Sequence, residues 1–265
     1  MQTLDAFPIE ARRRIRCVLT DIDDTLTTAG RLTAGAYGAL ERLSEAGFLV
    51  VPVTGRPAGW CDHIARMWPV DAVVGENGAF YFRYDHERRR MTKRFLIGGE
   101  ERIANRRRLD RLAGKILREV KGTALASDQL YREADLAIDY REDVAPLAEA
   151  DVGRIVAIFV GAGATAKVSS IHVNGWFGAY DKLAMTRIMA GECFGLDMDG
   201  EESAFVFVGD SPNDAPMFDF FSNSIGVANV GDFEDRLEAK PAYVTGGRGG
   251  DGFAELAAAL IAGRE

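Results

Sequence analysis

The chain has little that would bind zinc, form disulfides or cross a lipid bilayer. Of its 265 residues only three are cysteine and three are histidine. Cys17, Cys61 and Cys193 stand far apart with no Cys-x-x-Cys pair, so no disulfide frame or zinc site is expected and the thiols read as reduced and mostly buried. His63, His86 and His172 show no metal-ligand spacing. No apolar run approaches the roughly 20 residues that span a bilayer. Met1 to Arg16 lack the apolar centre of a secretory signal and carry Arg12-Arg13-Arg14, so a cytoplasmic protein with no membrane partner is expected. An excess of positive charge is also missing: the formal net charge is −8, which argues against nucleic acid as a general partner. There is no internal repeat, no low-complexity tract and no dinucleotide motif. Gly246-Gly247-Arg248-Gly249-Gly250 reads as a flexible loop, because no strand–Gly-x-Gly-x-x-Gly–helix arrangement surrounds it.

What is present is enough apolar residue, 47%, for a real core, in a length that allows one large domain or two modest ones. Strand and helix signals alternate at the start. Cys17–Thr20, Phe48–Val53 and Ala72–Val74 are short and continuously apolar, as strands buried on both faces are. Between them lie helical patterns at Thr33–Ala46, with Thr33 as N-cap and Gly47 past the end, and at Pro57–Met67. This rhythm predicts an α/β fold with a doubly wound parallel sheet. After Gly78 the pattern changes. Phe80-Tyr81-Phe82 leads into a basic stretch, Arg83 to Lys121, with 14 Lys and Arg against 6 Asp and Glu. An amphipathic helix is predicted over Ile103–Val120, with Ile103, Leu109, Leu112, Ile116, Leu117 and Val120 on one stripe. Leu136–Tyr140 and Lys167–Val173 read as strands and Val152–Val160 as part of a helix. The βα rhythm then resumes with a helix at Lys182–Phe194, strands at Ala204–Val208 and Ser224–Val227, and helices at Ala215–Phe221 and Ala254–Ile261. The expected organisation is a core formed by 1–82 and 178–265, interrupted by an α+β module over 83–177.

Four features fall at strand or helix ends, where open α/β sheets bind ligands. Asp21-Ile22-Asp23-Asp24 crowds three carboxylates at a strand exit, a costly arrangement that a divalent cation would relieve. Thr54-Gly55-Arg56 offers a hydroxyl, a close backbone approach and a guanidinium, a natural phosphate cradle. Asp181-Lys182 opens a helix, so the ammonium joins the positive helix end. Gly209-Asp210-Ser211-Pro212-Asn213-Asp214 adds two carboxylates four residues apart. Taken singly each is an ordinary turn or cap. Together they are complementary: the carboxylates suit a cation, and the Thr, Lys and backbone amides suit an anion.

This set resembles the haloacid dehalogenase superfamily, in the order and spacing of its magnesium-dependent phosphatase branch, over about 12–82 and 178–265. The position and α+β pattern of the insertion resemble the type IIB cap of the Cof-like group, which includes sucrose-phosphate, mannosyl-3-phosphoglycerate and trehalose-phosphate phosphatases. Glu76-Asn77-Gly78-Ala79 is similar to that group's approach to the cap. The resemblance implies a Mg²⁺-dependent phosphomonoesterase acting on a small phosphorylated metabolite, a sugar or polyol phosphate, through an aspartyl-phosphate. Asp21 would be the nucleophile and Asp23 the general acid and then base. Mg²⁺ would be held by Asp21, the Asp23 carbonyl, Asp210 and Asp214. Thr54, Gly55, Arg56, Asn77, Lys182 and Asn213 would hold phosphate or substrate. His172, Asn174 and Trp176, where the chain returns to the core, are candidates for substrate choice, as is the basic stretch. A phosphosugar mutase and a catalytically silent binding protein are the alternatives. A monomer or homodimer is expected.

Overall fold

The protein is described by a computed structural model that covers residues 1–264. In chain order the strands are β1 (Gln2–Thr3), β2 (Cys17–Thr20), β3 (Thr27–Thr28), β4 (Arg31–Leu32), β5 (Leu49–Pro52), β6 (Val73–Gly75), β7 (Phe80–Asp85), β8 (Arg90–Phe95), β9 (Ala124–Leu125), β10 (Leu136–Asp139), β11 (Thr165–Val168), β12 (His172–Trp176), β13 (Phe205–Gly209), β14 (Ser224–Gly226) and β15 (Tyr243–Val244). The α-helices are α1 (Ile9–Arg14), α2 (Ala34–Glu45), α3 (Ala58–Met67), α4 (Gly99–Glu119), α5 (Glu149–Gly161), α6 (Lys182–Met189), α7 (Ala215–Phe220) and α8 (Gly249–Ala262). Among the described residues no helix is long and apolar enough to cross a membrane.

The central sheet is six-stranded, ordered β1-β15-β14-β13-β2-β5, and every pairing in it is parallel. Helices cover both faces, which is why β2 and β13 are buried at every position and, Thr20 apart, carry no polar side chain. The chain leaves β2 to build β5 on one side and later returns to build β13 on the other. The C-terminal edge of β2 is therefore the place where the winding reverses and a crevice opens. The register sets Thr20 beside Val208 and Pro52, so Asp21, Thr54 and Asp210 emerge along one edge.

A second sheet, β11-β12-β10-β9, is antiparallel. Helices α4 and α5 pack on it through a separate apolar cluster that includes Leu109, Leu112, Ile116, Ile155, Phe159, Ile138 and Val173. The stripe predicted on α4 is buried at Leu109, Leu112 and Ile116, but Ile103, one turn into the helix, is 59% exposed.

Several expectations need correction. Ala72–Val74 does not continue the parallel sheet. It pairs antiparallel with β7 and meets the core through one parallel bridge, Val53 to Val74. Strand β7 runs through position 83, and its hairpin with β8 packs on the core through Phe80, Phe82 and Phe95. Lys167–Val173 is not one strand but the ends of β11 and β12, broken at Ser169 to Ile171 where the Ser169 hydroxyl accepts from the His172 amide. The glycine run is not simply a flexible loop, since Gly249 and Gly250 open α8. A Cβ on Gly249 would lie 2.6 Å from the Thr27 carbonyl oxygen and one on Gly250 2.8 Å from that of Leu26, so only glycine lets α8 approach the turn behind Asp21 this closely.

Candidate active site

Asp21 is the first residue past β2, and its amide donates to the Val208 carbonyl, which locks it beside β13. Lys182, the first residue of α6, is positioned by Asp181, whose side chain caps the helix by accepting from Ala184 N at 2.8 Å. Its ammonium donates to Asp21 Oδ1 at 2.8 Å and Asp214 Oδ1 at 2.6 Å. The other Asp214 oxygen accepts from the amides of Asp210 and Ser211, closing the loop after β13. Asp210 in turn accepts from the Thr25 hydroxyl and the Asn229 amide.

Burial pushes the Asp21 carboxyl well up from its ordinary value; Lys182 opposes the shift and the charges of Asp214 and Asp23 add to it. Asp210 is raised by burial first and then by Asp21 and Asp214. Burial alone would lower Lys182, but Asp21 and Asp214 outweigh it and hold the ammonium charged. One ammonium thus serves three buried carboxylates whose ligand oxygens lie within 4.8 Å of one another. An all-oxygen, mutually repelling, buried donor set fits a hard divalent cation such as Mg²⁺. The three carboxylates expected at the metal, those of Asp21, Asp210 and Asp214, converge. The Asp23 side chain, expected off the metal, is held by Arg56.

Arg56 is 5% exposed and sits at the centre of a second charge cluster. It donates to Asp23 Oδ1 through Nε at 3.0 Å and Nη2 at 2.7 Å, to Glu142 at 2.9 Å and to Asp128 at 3.3 Å. The Trp60 ring lies 4.4 Å beneath its guanidinium. Glu142 also stands 2.9 Å from His172 Nε2, and His172 with Arg56 holds its carboxyl down to about 2 despite partial burial. Behind this, the fully buried Arg132 grips Asp128 and Asp135 and donates to the Gly55 carbonyl at 2.8 Å. Asn174 donates to Asp135 at 2.9 Å. The buried Glu76 carboxylate accepts from the amides of Ala58, Glu133, Ala134 and Asp135, fastening the 133–135 loop to the start of α3.

The space directly over Asp21 and Asp23 is walled by Arg56, Arg132, His172, Asn174 and Asn213, and measures only about 10 Å³, room for about one water. A larger cavity of about 540 Å³ opens from Asp23, Asp24 and Asp210 toward Arg141, Ser170 and Arg248.

The sequence-derived residues are thus gathered at one edge with few exceptions. Thr54 is fully buried and accepts from the Arg56 amide. Asn77 is buried behind Gly55, where a glycine Cβ would stand 3.2 Å from its amide, and it does not line the cavity. Trp176 is 1% exposed and stacks on Tyr180, so it packs the core and is not free to face a substrate. No side chain of the basic stretch lines either cavity. Its cations are used elsewhere, Arg83 on the Cys193 carbonyl, Lys93 on Asp62, Arg108 over Phe177. Asp128, Arg132, Asp135 and Glu142 were not singled out from sequence. No local pattern marks them, since an arginine among acids reads as a solvated surface until folding buries it.

Residues 18–97 match the model of the haloacid dehalogenase-like hydrolases. No curated protein matches the chain in sequence. Among solved structures, the C-terminal domain of C. albicans trehalose-6-phosphate phosphatase is 13% identical, with 98% of each chain covered and a TM-score of 0.71. A Thermoplasma acidophilum protein is 17% identical, with 93% of this chain and 98% of that one covered and a TM-score of 0.69. The sucrose-phosphatase of Synechocystis, solved with sucrose and phosphate, is 15% identical, with 94% and 98% covered and a TM-score of 0.61. At these identities the likeness is one of fold. The family model thus covers the segment that carries Asp21 and Thr54, and the fold is shared with these structures along nearly the whole chain.

Proposed function

We propose that this protein is a phosphomonoesterase that hydrolyses a small phosphorylated metabolite, a sugar or polyol phosphate, through an aspartyl-phosphate on Asp21. One observation carries the reading: Asp21 stands at the reversal point of a parallel sheet, between Thr54 and Asp210, with the Lys182 ammonium 2.8 Å away. Carboxylate nucleophile, phosphate-binding cation and metal-binding carboxylates meet there and nowhere else among the described residues. The fold neighbours that are phosphatases of trehalose 6-phosphate and sucrose phosphate agree with this substrate class.

In this mechanism Asp21 attacks phosphorus and the ester P–O bond breaks, the leaving alcohol taking its proton from Asp23. Asp23 then removes a proton from water, which attacks the aspartyl-phosphate and frees Asp21 and inorganic phosphate. Lys182, Thr54 and the backbone amides hold the phosphoryl oxygens as charge builds on them. Mg²⁺ on Asp21, Asp210, Asp214 and the Asp23 carbonyl would screen the repulsion between carboxylate and phosphate. Arg56 occupies Asp23 Oδ1 with two donated hydrogen bonds, so it must leave Asp23 for the acid step, and an incoming phosphate is the natural partner to draw it away. We read 1–82 and 178–265, together with the β7–β8 hairpin packed on them, as the catalytic core and the rest of 83–177 as the cap that selects substrate, with Arg132, His172 and Asn174 as its reach into the site. Phosphate release from a panel of sugar, polyol and other phosphomonoesters tests this, with Mg²⁺, with EDTA, and with Asp21→Asn. Turnover that needs the metal and is lost in Asp21→Asn is expected; turnover that survives Asp21→Asn would sink the mechanism.

A further inference from the structure

A third cavity, of about 350 Å³, adjoins the site. Its walls are Ile22, Leu32, Trp60, Ile64 and Trp68, which include two of the three tryptophans of the chain. It shares Asp23, Thr27, Gly30 and Arg56 with the 540 Å³ cavity, so the two join at the residue that protonates the leaving alcohol in the proposed mechanism. Trp60 is 42% exposed, a large fraction for an indole, although one face is covered by Arg56. The polar side chains on it are Asp23, Thr27, Arg56 and His63, and the apolar ones predominate, so a pocket of this size and lining suits a flat apolar group.

We propose that the alcohol part of the substrate carries a flat apolar ring, and that this ring seats against Trp60 and Trp68 while its ester oxygen lies at Asp23. This rests on the phosphomonoesterase reading and narrows its substrate class. The polar cavity takes hydroxyl-bearing portions; the tryptophan pocket takes the ring. Substrates with both parts use both cavities, and Arg56, which lines each of them, is the partition between the two.

The test uses two non-hydrolysable ligands that share a phosphonate and differ only in the ring, 2-phenylethylphosphonate and ethylphosphonate. Binding of each to the full chain with Mg²⁺ is measured by calorimetry, for wild type, Trp60→Ala and Trp60→Phe. Wild type is expected to prefer the phenyl compound by about tenfold, Trp60→Ala to lose that preference and Trp60→Phe to keep most of it. The matching esters, 2-phenylethyl phosphate and ethyl phosphate, have alcohols of similar acidity, so the same ordering is expected in kcat/KM. Equal binding of the two phosphonates by wild type would overturn the inference and leave the phosphatase reading standing. So would a Trp60→Ala variant that weakens both equally, since Trp60 would then only brace Arg56. Binding of neither phosphonate, with no turnover of any ester, would overturn both.

Discussion

Asp21 and Asp23 lie two residues apart in the chain but in different electrostatic company. Asp21 faces an ammonium and two more carboxylates; Asp23 faces a guanidinium outside that cluster. This separation suits one carboxylate to attack and the other to carry a proton. Replacing Asp23 with Asn keeps the shape and one acceptor for Arg56 but removes the proton. Phosphate release is then expected to fall about 10²- to 10⁴-fold with little change in KM, in steady-state assays on the best ester of the panel. An unaltered rate would remove Asp23 from the chemistry. Glu142 offers a test that needs no substrate. Its folded carboxyl is held down to about 2 from an ordinary 4.5, so its charge favours the folded state. That contribution is full above about pH 4.5 and is lost as pH falls toward 2. Glu142→Gln is expected to be less stable than wild type by roughly 1–3 kcal/mol at pH 6, and the gap should narrow at pH 3, as read from urea midpoints. A gap that stays constant with pH would mean Glu142 acts only by packing.

At the scale of elements, the turn between β6 and β7 governs where α6 begins. Glu76 and Asn77 both have positive φ, at 44° and 55°, and Gly78 follows at 103°. A Cβ on Gly78 would fall 1.9 Å from the Asp181 carbonyl oxygen, which no side-chain adjustment relieves. Gly78→Ala should therefore cost more than about 2 kcal/mol, measured by denaturant unfolding, and should displace Lys182 along with the helix start. A variant of near-normal stability would show that α6 shifts freely and that Lys182 is not set by this contact. The strain of three successive left-handed residues is offset by the four amides that Glu76 gathers, three of them from the 133–135 loop.

For the molecule as a whole, the three converging carboxylates are a source of instability that a bound cation would relieve. Millimolar Mg²⁺ is expected to raise the thermal midpoint, by about 2.7 kcal/mol of added stability at a hundred times the dissociation constant. Asp210→Asn should lose that response while being at least as stable as wild type in EDTA, because a buried like charge has gone. Scanning calorimetry with and without Mg²⁺ decides it, and a metal response that survives Asp210→Asn would move the cation elsewhere.

The alternation of apolar strands and capped helices was legible in the chain because parallel strands buried on both faces need continuous apolar runs, and because Thr33 and Asp181 cap the helices they precede. The carboxylates at strand ends were legible for the same reason: a strand exit lies next to the chemistry, so motif and geometry coincide at Asp21, Thr54 and Asp210. Where function depends on residues distant in sequence, the chain alone was silent. Arg132, Asp128 and Glu142 look like surface charges, and only the docking of the 126–142 segment on the Thr54-Gly55-Arg56 loop buries and pairs them. The basic stretch misled for the converse reason, since its charge density is local but the faces that carry it turn away from the site. Local sequence determines which elements form and where their ends fall; which charges share one desolvated space is decided by long-range packing, because pairing energy arises only once water has been excluded.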